Sequence, residues 1–178
     1  MIYMEYVNVG KIYTTHGLNG EVKVKSNFNY KDKIYVNGFN FYIGKDKELY
    51  KLRNYRKQNE YDLLTFETLD NIDKVIKYRG SFLYILRSDI KVDTYLNSDL
   101  IGLNVFYKNK NIGKVSGIFD AGHGNFIIDI SGVFIPKNEN FIEKVDLKNK
   151  KIYVYDEIYQ KGMSNKAIYE EINKMGYS

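Results

Sequence analysis

The chain contains 178 residues, of which 44% are hydrophobic and 28% charged, and it carries a formal net charge of +5. This length allows one ordinary domain or two small ones, and the composition indicates a globular chain rather than a disordered one. Cysteine is absent, which excludes disulfides and zinc sites with thiolate ligands and suits a reducing compartment. The sequence has neither a signal peptide nor a run of about 18 apolar residues, so we expect a cytoplasmic protein that does not span a membrane.

The excess positive charge lies in the first half of the chain. Residues 1–92 contain 16 basic and 11 acidic side chains, whereas residues 93–178 contain 11 of each. A basic half fits a partner that carries phosphates. A solvated lysine-rich surface without a partner is the alternative interpretation.

In chain order, the first half favours short strands with one helical interruption. Apolar and polar residues alternate at Val22 to Lys25 as in a half-buried strand, and the predicted strands cover residues 4–13, 21–28, 39–43, 49–57, 61–66 and 81–86. Before the last strand, Asp70 is the expected cap of a short helix that Gly80 ends. Ile72, Val75 and Ile76 share one face of this helix.

The second half favours a further set of closely spaced strands. A polar segment, residues 89–98, is the predicted linker. The predicted strands beyond it cover residues 103–107, 112–119, 125–130, 133–136, 141–146 and 151–155, a spacing typical of a small barrel or sandwich. A final helix over residues 164–175 is expected to pack on the second barrel, and docking on a partner is the alternative.

No motif of a known catalytic centre is present in the sequence. The glycine-rich loop at residues 120–125 precedes a strand and not a helix, so it predicts a tight hairpin rather than a phosphate site. His16 and His123 each lie in a loop without a second histidine nearby, which argues against a metal site. We therefore expect a protein that binds without catalysis and uses no metal or cofactor.

One dense basic cluster lies in the predicted strand at residues 49–57. If this strand is regular, Lys51, Arg53, Tyr55 and Lys57 share one face. Such a face could contact an RNA backbone, with Tyr55 stacking on a base. The alternative is an exposed strand edge, on which lysines discourage aggregation.

Two stretches of the chain together resemble the RimM family of bacterial ribosome maturation factors. The first comprises V-G-K-I at residues 9–12 and H-G-L-N-G-E-V-K-V at residues 16–24. The second begins with D-L-I-G-L-N-V at residues 99–105 and continues through I-G-K-V at 112–115, Gly122, Asn125, I-P at 135–136, V-D-L at 145–147 and I-Y-V at 152–154. Their shared order and spacing make the resemblance specific over residues 5–158.

The resemblance implies a mostly β protein with two small barrels. It places a six-stranded barrel at residues 1–88, a linker at 89–98 and a PRC barrel at 99–160. The helical tail predicted at 161–178 lies outside the resemblance. The resemblance implies binding to the free small (30S) subunit, with a role in late assembly of the head and in 16S rRNA processing. The implied protein partner is ribosomal protein nineteen of the head, contacted by the PRC barrel, and we expect a monomer. A general RNA-binding barrel without ribosomal specificity is the alternative function.

The resemblance also indicates candidate contact residues. The family often has two adjacent aromatics before the D-L-x-G motif, and here these positions are Tyr95 and Leu96. The candidate partner contacts are Tyr95, Leu96, Asp99 and Tyr107, although Tyr95 has packing between the barrels as an alternative role and Asp99 has a structural one. The candidate rRNA-facing residues are Lys51, Arg53, Tyr55, Lys57, His16, Lys23 and Lys25.

Overall fold

The computed structural model describes residues 4–155, and the chain divides into two compact units after Lys91. The protein is mostly β with a few short helices, which confirms the predicted fold class. The predicted helix at residues 164–175 lies outside the described residues. Within residues 4–155 no helix is long and apolar enough to cross a bilayer.

The first unit is a closed barrel of six strands in the order β1-β2-β5-β4-β3-β6. These strands are β1 (Tyr6–His16), β2 (Glu21–Lys25), β3 (Asn40–Ile43), β4 (Glu48–Gln58), β5 (Tyr61–Phe66) and β6 (Phe82–Leu86). Two short helices, α1 (Lys31–Ile34) and α2 (Ile72–Val75), and the 3₁₀ turn Ile76–Tyr78 connect them, and a second 3₁₀ turn, Arg87–Asp89, follows β6. Every strand of a closed barrel has two hydrogen-bonded neighbours, so none of the six is an exposed edge.

The barrel interior follows from the alternation of side chains along its strands. Val22 and Val24 of β2 are fully buried, whereas Lys23 and Lys25 point outward. The same period puts other large apolar side chains inside, among them Ile12, Phe41, Ile43, Leu52, Leu64, Phe66, Leu83 and Ile85. Burying each such side chain stabilises the fold by roughly 1.5–3 kcal/mol before conformational entropy is subtracted.

The boundaries of β1 and β2 differ from the prediction. Strand β1 extends to His16 because Thr14, Thr15 and His16 pair with residues 23, 22 and 21 across a bulge that follows Ile12. Strand β2 ends at Lys25 rather than residue 28, since the Ser26 hydroxyl donates to the Val9 carbonyl at 2.5 Å. A side chain thus takes the place of a ladder hydrogen bond there.

The predicted cap of the short helix α2 is wrong, and one residue of its predicted apolar face is exposed. Asn71 is its N-cap, and its Oδ1 accepts a hydrogen bond from the Lys74 backbone N–H at 3.1 Å. Asp70 instead accepts a hydrogen bond from the Lys74 ammonium at 2.8 Å. Val75 is buried, but Ile76 begins the 3₁₀ turn and is 49% exposed.

The second unit consists of two sheets. One contains β9 (Gly117–Gly122), β10 (Asn125–Ile130) and β11 (Val133–Pro136) in the order β11-β10-β9. The other contains β7 (Asn104–Tyr107), β8 (Lys110–Lys114), β12 (Ile142–Asp146) and β13 (Lys151–Val154) in the order β12-β13-β7-β8. A 3₁₀ turn, Asn97–Leu100, precedes β7, and the core of the unit includes Leu100, Val105, Ile130, Ile135 and Ile152.

The single strand predicted at residues 112–119 is two strands in the structure. Strand β8 ends at Lys114 and β9 begins at Gly117. Between them the chain changes partner, because the Val115 N–H donates to the Leu103 carbonyl at 2.9 Å and the Ser116 N–H to the Asp129 carbonyl at 2.8 Å. The stretch predicted as one strand therefore passes from one sheet to the other.

The tight hairpin predicted at residues 120–125 is confirmed. His123 and Gly124 join β9 to β10 and have φ angles of 53° and 78°, as a two-residue type I′ hairpin requires. Residues 147–150 join β12 to β13, which pair antiparallel. The glycine-rich loop is thus a hairpin turn.

Candidate nucleic-acid interface and linker site

The basic cluster on β4 does not form one face. A bulge between Leu52 and Asn54 places an extra residue, Arg53, in the strand, and it reverses the alternation beyond that point. Tyr55 pairs with the buried Leu64, and Lys57 pairs with the buried Asp62, so both point to the side occupied by Leu52. The prediction that Lys51, Arg53, Tyr55 and Lys57 share a face was wrong. The edge alternative also fails, because β4 lies between β5 and β3.

Two of the four side chains have partners within the barrel. The Tyr55 ring is half-buried, with its centroid 4.5 Å from that of Tyr35. The Lys57 ammonium lies 3.1 Å from the Asp62 carboxylate. These contacts leave Lys51 and Arg53 as the outward-facing cations of the predicted set.

A further cation of β4 is held in an ion pair. Arg56 donates to Glu21 through Nε at 2.9 Å and Nη2 at 2.7 Å, a bidentate contact. These hydrogen bonds hold the pKa of Glu21 below its usual range. His16 Nε2 lies 3.8 Å from the same carboxylate, and the Glu21 to Arg56 pair joins the start of β2 to β4.

His16 and Arg53 line an open groove on the first unit, beside that turn. Its lining residues are His16, Gly17, Leu18, Asn19, Glu21, Arg53, Asn54, Arg56, Thr65 and Asp70. Two arginines face two carboxylates in this groove, so its net charge is small. Within residues 4–155 no cluster of histidines and carboxylates could hold a metal ion.

Lys23 and Lys25 lie on a different, outward surface of the barrel together with two tyrosines. The rings of Tyr13 and Tyr61 stack with centroids 5.5 Å apart and an interplanar angle of 26°. Lys25 Nζ lies 4.7 Å from the Tyr13 centroid, and Lys23 Nζ lies 5.3 Å from the Tyr61 centroid. Sequence reasoning did not identify Tyr13 or Tyr61. One sequence signal could have indicated this surface. It is the alternation of Lys11 with Tyr13 on β1, opposite Lys23 and Lys25.

The linker residues belong to the second unit and are largely packed. Leu96 is only 2% exposed, so it cannot contact a partner without rearrangement. Tyr95 packs against the core of the second unit, and Lys137 Nζ lies 5.2 Å from its ring centroid. Lys137 also donates to Asn97 Oδ1 at 2.5 Å. Partial burial lowers the pKa of Lys137.

Asp99 and Tyr107 have structural contacts in the same unit. Asp99 Oδ2 accepts a hydrogen bond from the Leu96 backbone N–H at 2.8 Å and so closes the turn that enters the unit. Gly102 follows with a φ of 86°, a conformation that glycine adopts without strain. Tyr107, at the end of β7, packs against the core, and Lys108 Nζ lies 5.3 Å from its ring centroid.

The fold and these surfaces define a two-unit β protein that presents cations and aromatic rings together on its first barrel. Comparison with known proteins identifies its family. The family model for the RimM N-terminal domain matches residues 7–90, and the model for the RimM PRC barrel domain matches residues 97–157. The chain therefore belongs to the RimM family.

This chain aligns with nearly the whole length of its curated relatives. The Ribosome maturation factor RimM of Shouchella clausii is 30% identical over 84% of this chain and 94% of its own. The protein of the same name from Staphylococcus haemolyticus is 35% identical over 83% of this chain and 94% of its own. The solution structure of the N-terminal domain of RimM from Thermus thermophilus is similar with a TM-score of 0.43 at 11% identity, and it covers 50% of this chain and 98% of that one.

Proposed function

We propose that this protein is a ribosome maturation factor that binds the immature small (30S) subunit and assists late assembly of its head and 16S rRNA processing. The observation that carries the proposal is the match to both RimM domain models in order, together with relatives named Ribosome maturation factor RimM over more than four fifths of the chain. It acts by binding and not by catalysis, in the cytoplasm and as a monomer.

The two halves divide the binding between RNA and protein. The first unit, which carries the excess of basic residues, lies near rRNA, and the charge-balanced second unit contacts ribosomal protein nineteen. Outward cations support the first assignment. Lys23, Lys25, Lys51 and Arg53, together with His16 in the groove, face solvent at least in part. Tyr55 and Lys57 are weaker candidates because both have partners inside the barrel.

On the second unit, the surface formed by Tyr95 and Lys137 supports a protein contact. Tyr95 offers a half-buried aromatic ring with the Lys137 ammonium 5.2 Å from its centroid, and tyrosines are enriched at protein interfaces. Asp99 supports this surface by fixing the turn, and Tyr107 is the remaining candidate on β7. Leu96 is the weakest of these candidates because it is buried.

The processing role is tested in a strain that lacks this gene. We expect precursor 16S rRNA and free small subunits to accumulate, and a plasmid copy of the wild-type protein to restore mature rRNA. Normal 16S ends and normal subunit profiles in the deletion strain would contradict the proposal.

The alternative is a general RNA-binding module without ribosomal specificity. The stacked tyrosines with adjacent lysines favour it, because stacking and phosphate contacts tolerate any sequence. Competition separates the two functions. A maturation factor retains binding to small subunits in an excess of unrelated RNA, whereas a general module is displaced.

A further inference from the structure

An aromatic and basic surface covers the outer side of β6, β1, β2 and β5 in the first unit. Tyr13 and Tyr61 form its centre, and Lys11, Lys23, Lys25 and Phe82 surround them. We call these six residues the tyrosine platform. It differs from the predicted cluster on β4 and from the groove at His16.

Strand register brings these side chains together. Lys11 pairs with Lys25 across β1 and β2, and Lys23 pairs with Leu63 on β5. The bulge after Ile12 lies at Tyr13, whose ring reaches Tyr61 at the start of β5. Lys25 Nζ lies within 5.5 Å of both ring centroids. With Phe82 on β6, four neighbouring strands thus contribute one continuous surface.

The platform has exposed aromatic area and unneutralised charge. Tyr13 is 55% exposed and Phe82 45% exposed. Lys11, Lys23 and Lys25 form no ion pair with any residue that the structure describes. By contrast, Arg56 and Lys57 of β4 are paired with carboxylates. Three ammonium groups without an ion pair in the described part of the chain therefore lie next to the exposed rings.

Protection against aggregation does not account for these lysines. Lysines that discourage sheet association are needed on edge strands, and this barrel is closed. Rings that are about half exposed contribute little to the packing of the interior either. Exposed rings flanked by cations are the combination that binds single-stranded nucleic acid, through base stacking and phosphate contacts.

We propose that the tyrosine platform binds single-stranded RNA, with a base stacked on Tyr13 and phosphates contacted by Lys11, Lys23 and Lys25. This inference rests on the proposed role on small-subunit rRNA, and it identifies the unpaired segments of that rRNA as the chemical partner. Stacking tolerates any base, so the rRNA segment that binds is determined by its position on the subunit and not by its base sequence.

The test measures binding of the full-length protein to two fluorescent 12-nucleotide probes, an oligouridine RNA and its abasic counterpart. Both carry the same phosphates, and only the first has bases. We expect tighter binding to oligouridine, and Tyr13→Ala to weaken that binding about tenfold while binding to the abasic probe stays unchanged. Tyr155→Ala is the matched control, because Tyr155 is also 55% exposed but lies in the second unit.

A triple variant separates charge from stacking. Lys11→Gln, Lys23→Gln and Lys25→Gln together should weaken binding to both probes and reduce the salt slope by about 2, at roughly 0.7 per phosphate contact. Three results would overturn the platform: equal affinity of the wild type for both probes, no binding to either, or equal losses in Tyr13→Ala and Tyr155→Ala.

Sedimentation of the same variants with free small subunits distinguishes the two proposals. If Tyr13→Ala binds oligouridine normally and the wild type still sediments with subunits, the platform is wrong and the proposed function stands. If the wild type binds oligouridine through Tyr13 but does not sediment with subunits, the platform stands as an RNA site and the ribosomal function fails.

Discussion

At the scale of single residues, the carboxylate of Asp62 links three side chains of the first unit. It has no exposed surface, and it accepts contacts from Lys31 at 2.8 Å, Lys57 at 3.1 Å and the Tyr35 hydroxyl at 2.7 Å. Burial and the neighbouring carboxylate raise the pKa of Tyr35 well above its usual range. The hydroxyl therefore stays protonated and continues to donate.

Replacing this carboxylate should destabilise the first unit. We expect Asp62→Asn to lower the free energy of unfolding by about 3 kcal/mol, the lower end of the range for breaking a buried pair, because both lysines can turn to water. Urea denaturation measures the change. The exposed Asp46 provides the control, and Asp46→Asn should change stability by less than about 0.5 kcal/mol. Equal effects of the two substitutions would show that Asp62 has no special role.

The Glu21 to Arg56 pair predicts a pH dependence of stability. Because the pKa of Glu21 in the folded protein is lower than its usual 4.5, the pair stabilises the protein above about pH 4.5. Its contribution is lost as the pH falls through the folded-state pKa. Glu21→Gln should thus be less stable than the wild type at pH 7, and the difference should vanish in acid.

Urea midpoints between pH 3 and pH 7 test this, with Glu60→Gln at the exposed turn after β4 as control. A difference between Glu21→Gln and the wild type that stays constant across the range would contradict the assignment.

At the scale of elements, the turn between β1 and β2 illustrates two different uses of glycine. Gly17 has a φ of +69° with open space around it, whereas Gly20 has a φ of +87° and a Cβ there would lie 2.0 Å from the Leu69 carbonyl oxygen. The Ile72 N–H also donates to the Leu18 carbonyl at 2.9 Å. The turn is thus packed against the segment that begins α2.

Alanine substitutions should separate these two uses. We expect Gly17→Ala to cost about 1 kcal/mol, the penalty of positive φ alone, and Gly20→Ala to cost about 3 kcal/mol or more, since backbone overlap adds to that penalty. Thermal and urea unfolding measure both. Similar losses for the two variants would mean that the close approach at Leu69 is not important.

The strands were largely predictable from sequence, but their bulges were not. Alternation at Val22 to Lys25 identified β2 because its two faces differ in environment. The bulge at Arg53 depends on how β4 pairs with β5 and curves around the barrel, and neither appears in the local sequence. This one extra residue moved Tyr55 and Lys57 to the opposite side of the strand.

At the scale of the whole molecule, the position of the charge was less predictable than its amount. The excess of basic residues in residues 1–92 is a property of the sequence. Which cations remain unpaired depends on contacts between distant residues, such as Arg56 with Glu21. Tyr13 and Tyr61 were missed for the same reason, because their stacking requires β1, β2 and β5 to lie side by side.

The central claim is that this protein acts on the small subunit before it joins the complete ribosome. Co-sedimentation of the full-length protein with purified free small subunits, compared with complete ribosomes at the same salt concentration, tests it most directly. The protein should sediment with free small subunits and remain at the top of the gradient with complete ribosomes. Equal binding to both particles, or to neither, would contradict the claim.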